Sequence, residues 1–542
     1  MNPEAEYKTE RIDHLGIVAG ICQEIGLIDE IDRQVGASEQ KVSCGQATQA
    51  MVLNALGFSS RALYLMPDYM HNKPVDVLIG PGLVAEDFND DSLGRSLEAL
   101  YAKGVTEVYA QVAARALRVY GIEHRFVHVD SSSFHLHGQY EPEEPSREAI
   151  TITEGYSRDH RPDLKQVVVQ LITSQRSSLP VWLEVLSGNS SDKESFPLSV
   201  AAYNKQLGES ETPYYVMDSA GYAADNLKTL KEMRWLMRVP ETLAEAKRLV
   251  RESEKSEMVF LTEGYWGREV KLTYGEVEQR WLVVFSQAAY DRELHTLSKA
   301  QEKERLAAEK AWHKLSLQIF NCLEDAEKAA KQFNQGWKFH QAVAETAPIT
   351  RYAERGRPAA EDEPEIVGYG LKGSISAAAD RVEMAKRTLG KFIIATNELD
   401  EAKLSAVQVL SNYTDQGISV ERGFRFLKDP LFFADSLFLK KPERIMALMM
   451  IMGLALLIYA LAERQLRLAL ETLQEKIPDQ KGKPTSTPTI RWVFQTFEGI
   501  DILSIWVNGQ RITRQVLNLS PVRQQIVALF GAQVRNCYFL NS

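Results

Sequence analysis

A chain of 542 residues exceeds what one hydrophobic core organises, so two to four domains are expected. Its 44% hydrophobic and 25% charged residues are ordinary for a soluble globular protein, and its four scattered cysteines (Cys22, Cys44, Cys322, Cys537) exclude a zinc module or a disulfide framework and suit a reducing cytoplasm. The net charge of −10 weighs against a polyanionic partner, yet residues 381–542 carry an excess of about six positive charges, and local patches steer a polyanion.

The N-terminal MNPEAEYKTERID has no apolar core, so no secretory signal is expected there. Residues 10–125 read as helices. Ile17, Ile21, Ile25 and Ile28 suggest one helical face, and Ser43 with Gln46 makes a capping box ahead of Met51, Val52, Leu53 and Leu56. Asp91 or Ser92 can cap a helix carrying Leu93, Leu97 and Leu100, and Val105 to Tyr120 is amphipathic up to Gly121. Recognition of a DNA site and subunit contact are both open for this helical region.

At Arg125 the texture changes to strands. RFVHVDSSSFHLHG (Arg125–Gly138) holds a short apolar β-prone run that ends at Asp130 and meets three serines. His135 and His137 follow at the spacing of a second, polar-faced strand, which leaves Asp130 near a hairpin turn or one strand in. Lys165–Thr173 and Leu179–Ser187 read as a hairpin, and GNSSDKESF opens a helix with Asp192 and Glu194 in its first turn. Tyr214 to Met217 is a short strand ending at Asp218, so Asp218 repeats the arrangement of Asp130.

Residues 241–390 read as an insertion. Met258–Tyr274 and Arg280–Ser286 alternate as strands, Glu293 to about Phe339 forms a charged helical hairpin, Arg351–Glu365 is a loop, and IVGYGLKGSISAA returns to strand. FIIAT (Phe392–Thr396) resumes the interrupted core. Leu404 to Lys428 is helical, with Glu421 among Arg422, Arg425 and Lys428; Gly417 and Gly423 each cost about 1 kcal/mol there against Ala, which close approach of something to the helix would explain. Ile445 to Leu461 is shorter than the roughly 20 residues a membrane span requires and reads as a buried core helix. Two strand-like runs, Ile500–Val507 and Ile512–Leu519, close the chain.

Three acids stand out: Asp130 and Asp218 at strand ends and Glu421 on a helix. Two divalent ions about 3.5–4 Å apart require a cluster of carboxylates and serve phosphoryl transfer. GxxxxGK[ST], GxSxG and HExxH are all absent from the sequence.

The order Asp–Asp–Glu on strand, strand and helix of an interrupted α/β core resembles the DDE transposases of bacterial insertion sequences, whose ribonuclease H-like catalytic domain is shared with retroviral integrases. YTDQGISVERGFRFLK resembles the Tyr-Arg-Glu-Lys signature of one branch through Tyr413, Glu421 and Lys428. Gln416 stands near the place of the Arg, with four residues before Glu421 instead of three. GYSRDHRPDLKQ and GNSSDKESF also look like family sequence. The resemblance covers roughly residues 126–461, and the helical N-terminal region is similar to the companion domain of the same group.

The resemblance implies an α/β fold: a ribonuclease H-like catalytic core (a mixed sheet flanked by helices) interrupted by a mixed β/helical insertion, with an all-α N-terminal domain. The expected divisions are residues 1–122, 123–240, 241–390, 391–465 and 466–542. It further implies cut-and-paste transposition, with strand hydrolysis at the element's ends and attack by the freed 3′-OH. Asp130, Asp218 and Glu421 would be both the catalytic triad and the ligands of two Mg²⁺ ions, which Mn²⁺ can replace. Lys428, Tyr413, Arg422 and Arg425 would contact DNA. The implied partners are double-stranded DNA, as terminal inverted repeats and target, and a second copy in the DNA complex, with no membrane; the implied location is the bacterial cytoplasm, at the nucleoid when DNA-bound.

Other features stay balanced. Trp266, Trp281 and Trp337 are the candidates for an aromatic that stacks on a flipped base. His135 and His137 read better as a polar strand face than as metal ligands. His160, Arg161, Asp163 and Lys165 form either a phosphate contact or a solvated loop, and Arg355 and Arg357 either grip DNA or lie in an exposed linker. Arg422 and Arg425 fit DNA contact or ordinary ion pairing. The alternatives to a transposase are a metal-dependent DNA nuclease and a non-catalytic DNA-binding protein derived from a transposase.

Overall fold

The structure, a computed structural model, describes residues 5–36, 40–58, 62–122, 124–137, 140, 150–157, 160–175, 178–207, 212–352, 363–429 and 439–540, without the side chains of 416–421. The chain forms two compact units. One comprises residues 1–237, 275–277 and 410–542, and the other residues 238–274 and 278–409.

The first unit begins with a strand that the sequence conceals behind charged residues, β1 (Ala5–Arg11), with all but one of its residues exposed. Helix α1 (Leu15–Glu24) follows and stops where Gly26 adopts φ of 62°, so the Ile17–Ile28 stripe is divided between two helices. Helix α2 (Cys44–Leu56) carries the expected capping box: the Gln46 N–H donates to Ser43 Oγ at 3.1 Å and the Ser43 N–H to Gln46 Oε1 at 3.0 Å. Helix α3 (Asp90–Lys103) is capped by Asn89, not by Asp91 or Ser92; the Asn89 side chain accepts the Ser92 N–H at 3.0 Å. Helix α4 (Val105–Val119) buries Val108, Val112 and Ala116.

The sheet of this unit comprises β2 (Phe126–His135), β3 (Gln166–Ser174), β4 (Pro180–Ser187), β5 (Tyr214–Met217) and β6 (Arg234–Arg238), in the order β4–β3–β2–β5–β6. β4, β3 and β2 are antiparallel, whereas β5 runs parallel to β2 and β6 to β5. Helix α5 (Asp192–Leu207) lies between β4 and β5 in the chain, with Asp192 and Glu194 in its first turn as the sequence predicts. This mixed sheet with flanking helices is the ribonuclease H-like core.

The second unit pairs β7 (Val259–Thr262), β8 (Tyr265–Tyr274), β9 (Val277–Ser286) and a later strand, β12 (Lys391–Thr396), in the order β12–β9–β8–β7. Between β9 and β12 come the charged helices α6 (Gln287–Ser316) and α7 (Leu323–Gln335) and the antiparallel ribbon of β10 (His340–Arg351) and β11 (Glu365–Ala377). Trp312, Ala326, Ala342 and Leu371 give this part its own small core. Glu304 of α6 ties the start of β10 by accepting the backbone N–H groups of Phe339 and His340 at 2.6 and 3.1 Å. Arg355 and Arg357 lie outside the described residues. Trp281 is fully buried and donates its indole N–H to Gln279, which removes it from the candidates for base stacking.

The chain then supplies α8 (Ala406–Thr414), α9 (Gln416–Leu427), α10 (Pro442–Thr472), α11 (Ile490–Thr496), β13 (Asp501–Val507), β14 (Gln510–Leu517) and α12 (Ala532–Tyr538). Helix α10 is long and apolar enough to cross a membrane, but 83% of its apolar window is buried inside the protein, as expected of a core helix. It packs on α1, α2, α3, α4 and β4. An ideal Cβ at Gly453 would lie 2.2 Å from Leu183 Cδ1 and 3.1 Å from the Tyr109 ring, so the missing side chain lets β4 and α4 close on this helix. One hydrophobic core therefore links the N-terminal helices, the sheet and the C-terminal helices. Strand β1 pairs antiparallel with β13, Ala5 opposite Val507 and Arg11 opposite Asp501.

His14 sits in that core, with Nε2 2.7 Å from the Leu56 carbonyl and its ring stacked on Phe494 at 4.5 Å. Burial pushes its pKa down to about 4. The unfolded chain therefore binds this proton first as pH falls, and stability drops between about pH 6.5 and pH 4, by up to about 3 kcal/mol from this group. Urea unfolding at stepped pH values is expected to show the decline, and His14→Gln to flatten it.

Candidate active site

The candidate site starts from one strand. The sequence suggests that the apolar run stops at Asp130, but β2 continues through the serines to His135 and leaves Leu136 and His137 outside it. The reason is tertiary. Every residue from Asp130 to His135 is registered against β3, Asp130 opposite Leu171 and His135 opposite Gln166. Ser131, Ser132 and Ser133 are small enough to be buried there. Asp130 thus lies in the middle of a central strand, half-buried.

The parallel pairing sets Asp218. Phe126, Val127 and His128 face Tyr214, Tyr215 and Val216 at one constant offset. The pairing itself ends at His128 and Val216; carried two residues further along the two strands, the same offset leads from Asp130 to Asp218. β5 stops at Met217, and Asp218 turns the chain by accepting the Ala220 N–H at 2.8 Å. Asp130 likewise accepts the Ser131 N–H at 2.8 Å. Each carboxylate is oriented by a backbone donor just beyond it in the chain.

Helix α9 brings the third acid. The backbone of Glu421 belongs to α9, and its side chain lies outside the described residues, as does that of Gln416. The setting of the helix is fixed on both sides of Glu421. At its start, Asp415 accepts from the Gln175 amide at 3.2 Å. Past Glu421, a Cβ at Gly423 would stand 3.3 Å from Leu456 Cδ2 and 3.9 Å from Leu171 Cδ1, the close approach that its missing side chain permits. Leu171 is the cross-strand partner of Asp130, so the two share a sheet face. Further on, the Lys428 ammonium stands 5.6 Å from the Phe134 ring centroid, and Phe134 alternates onto that same face. Glu421 is two residues from Gly423, a rise of about 3 Å. Its helix therefore crosses the face from which Asp130 projects.

The other expected contacts divide. Tyr413 is half-buried on α8, and Arg425 is exposed. Arg422 is partly exposed and is paired within the protein, its Nη2 2.6 and 2.7 Å from the two oxygens of Glu463. Among the described side chains no three His, Cys, Asp or Glu residues gather as a metal site, and Glu421 is not one of the described side chains.

Around the acids, several supports were not legible in the sequence. Ser131 Oγ donates to Asp192, at the start of α5. Gly155 and Gly188 belong to the two segments GYSRDH and GNSSD; Gly188 O stands 2.1 Å from an ideal Cβ at Gly155, and the Gln166 and Thr153 carbonyls fill the place of a Cβ at Gly188 at 2.2 and 2.4 Å. The buried Gln166 amide joins them by donating to the Gly188 carbonyl at 2.7 Å and to Tyr156 O at 3.2 Å. Adjacent Gly and a buried amide were the available signals, but the pairing between segments more than twenty residues apart was not. His135 is occupied by Ser157, with Nε2 2.8 Å from Oγ. In the polar cluster, Arg161 grips Asp163 with two nitrogens at 2.9 and 2.8 Å and holds that carboxyl down at about 2.

Residues 122–458, well over half of the chain, match the family described as Transposase DDE domain. The chain belongs to the DDE transposase family. The transposase domain is preceded at residues 7–114 by a match to a domain of unknown function, DUF4277, so the helical N-terminal region matches a domain family of its own. Among curated proteins none is similar in sequence. A solved structure of piggyBac transposase, in a synaptic complex with hairpin DNA, is similar at 8% identity over 91% of this transposase chain and 82% of that one, with a TM-score of 0.36.

Proposed function

We propose that this transposase cuts DNA at the ends of its element and joins the freed 3′-OH to new DNA in a metal-dependent reaction. The observation that supports the reading is the parallel pairing of β2 with β5, whose offset, continued by two residues, leads from Asp130 to Asp218, together with the helix of Glu421 crossing the face of Asp130. The donor set fits hard divalent cations, since two carboxylates at one level of adjacent strands supply anionic oxygens at short spacing. Asp130, Asp218 and Glu421 would hold two Mg²⁺ ions, with Mn²⁺ able to substitute. Such ions, when bound, activate the attacking water or hydroxyl and stabilise the leaving oxygen of a phosphodiester.

The remaining work falls to the chain's own residues. The Ser131 and Ala220 N–H groups hold the two carboxylates in fixed orientation, which removes a reorganisation cost from the reaction. Lys428, at the C-terminal end of the same helix, meets a backbone phosphate, and the exposed Arg425 adds a second cation. Tyr413 lies beside the strand being cut. The partners are double-stranded DNA, as terminal inverted repeats and as target, and a second copy of the chain holding the other end.

The deciding experiment incubates the protein with its flanking inverted-repeat DNA and Mg²⁺ or Mn²⁺. Metal-dependent cutting at the element end followed by joined products is the expected result. Cutting without joining would make the chain a nuclease, and binding without cutting a non-catalytic DNA-binding protein.

A further inference from the structure

We infer that Glu463, on α10, is a positioning residue that sets the helix of Glu421 over the sheet; the inference rests on the transposase reading above. Glu463 is 7% exposed. Its carboxylate takes Arg422 at 2.6 and 2.7 Å, Arg467 at 3.0 Å and the Ile490 N–H at 3.1 Å. Arg422 is the residue directly after Glu421. The next residue of α11 repeats the tie, since Arg491 pairs with Asp429 at 2.6 Å just past the end of α9. The start of α11 is thus bound to the middle of α9 through Glu463 and to its end through Asp429.

These bonds do what the apolar contacts of α9 cannot. Gly423 against Leu171 and Leu456 fixes the distance of α9 from the sheet, but apolar contact is non-directional and lets a helix turn or slide. With 3.6 residues to the turn and 1.5 Å of rise per residue, a small rotation moves the end of a long side chain beyond the roughly 0.5 Å that a functional site tolerates. A carboxylate gripped by a guanidinium resists both movements. Both guanidinium groups that meet this carboxylate are partly exposed, so removing its charge leaves no buried cation unpaired and loosens the helix without unfolding the unit.

The test uses Glu463→Gln in the full chain, which keeps the volume and can still accept the Ile490 N–H but no longer pairs ionically with Arg422. Loss of such a support is expected to raise the Mg²⁺ concentration for half-maximal cleavage of element-end DNA on the order of 10-fold, with DNA binding and Tm unchanged. Hydrogen exchange over residues 416–427 is expected to quicken while α10 stays protected. Arg422→Lys should fall between wild type and Arg422→Gln, and Arg467→Gln, which meets the same carboxylate from within α10, should leave the Mg²⁺ midpoint in place. An unchanged midpoint with unchanged exchange would overturn the inference, and so would a fall in Tm with exchange raised across the whole unit. Wild-type protein that shows no metal-dependent cleavage would overturn the transposase reading instead, and the exchange comparison would still decide the role of Glu463.

Discussion

Asp130→Asn and Asp218→Asn are each expected to lower metal-dependent cleavage by on the order of 10³-fold or more, with DNA binding retained. Asn keeps the shape of Asp and a carbonyl oxygen that can still accept the Ser131 or Ala220 N–H, so the turn after each residue survives. What it loses is the negative charge that a divalent ion requires. Stability should change little, because Asp218 is exposed and Asp130 only half-buried. Gel-resolved cleavage of end DNA under single-turnover conditions measures the rate, and a filter-binding titration checks that DNA is still held. A variant that keeps more than about a tenth of the wild-type rate, a loss of under 1.4 kcal/mol, would remove its residue from the site.

Phe494→Ala is expected to cost about 3–5 kcal/mol of stability. Phe494 is fully buried on α11, stacks on His14 at 4.5 Å and meets the Tyr459 ring edge-on at 5.9 Å. Those three rings come from the start of α1, from α10 and from the C-terminal region, so one truncation opens a cavity where distant parts of the chain join. Urea unfolding followed by tryptophan fluorescence and by circular dichroism should show the transition of the first unit moving to lower urea. If the N-terminal helices unfolded in a separate transition that Phe494→Ala did not touch, the single core would be disproved.

The helices at both ends were legible because they are written locally. Ser43 with Gln46 and the long apolar run of α10 need no distant partner to be recognised. Asp130 and Asp218 were legible as acids beside short apolar runs. The parallel pairing of the two strand segments that precede them was not, because a parallel register joins residues far apart in the chain. The extent of β2 was misjudged for the same reason. Three consecutive serines usually mark a turn, and here pairing with a fully buried neighbour strand overrides that preference. β1 was hidden because AEYKTER alternates almost nothing apolar, being an outer strand paired only through β13. Arg422 left ion pairing or DNA contact open, since its partner Glu463 is 41 residues away, just beyond the apolar run of α10.

The pairing of β1 with β13 also governs how the protein is made. Ala5–Arg11 is made before Asp501–Val507 and has to wait for it. At about 5–20 residues per second that delay is on the order of half a minute or more. For most of it, the apolar faces of α1 and α2 lack α10, and for all of it α12, which complete their core. Synthesis that stops before α10 leaves that apolar face open. Incomplete translation products of this transposase are therefore expected to be aggregation-prone.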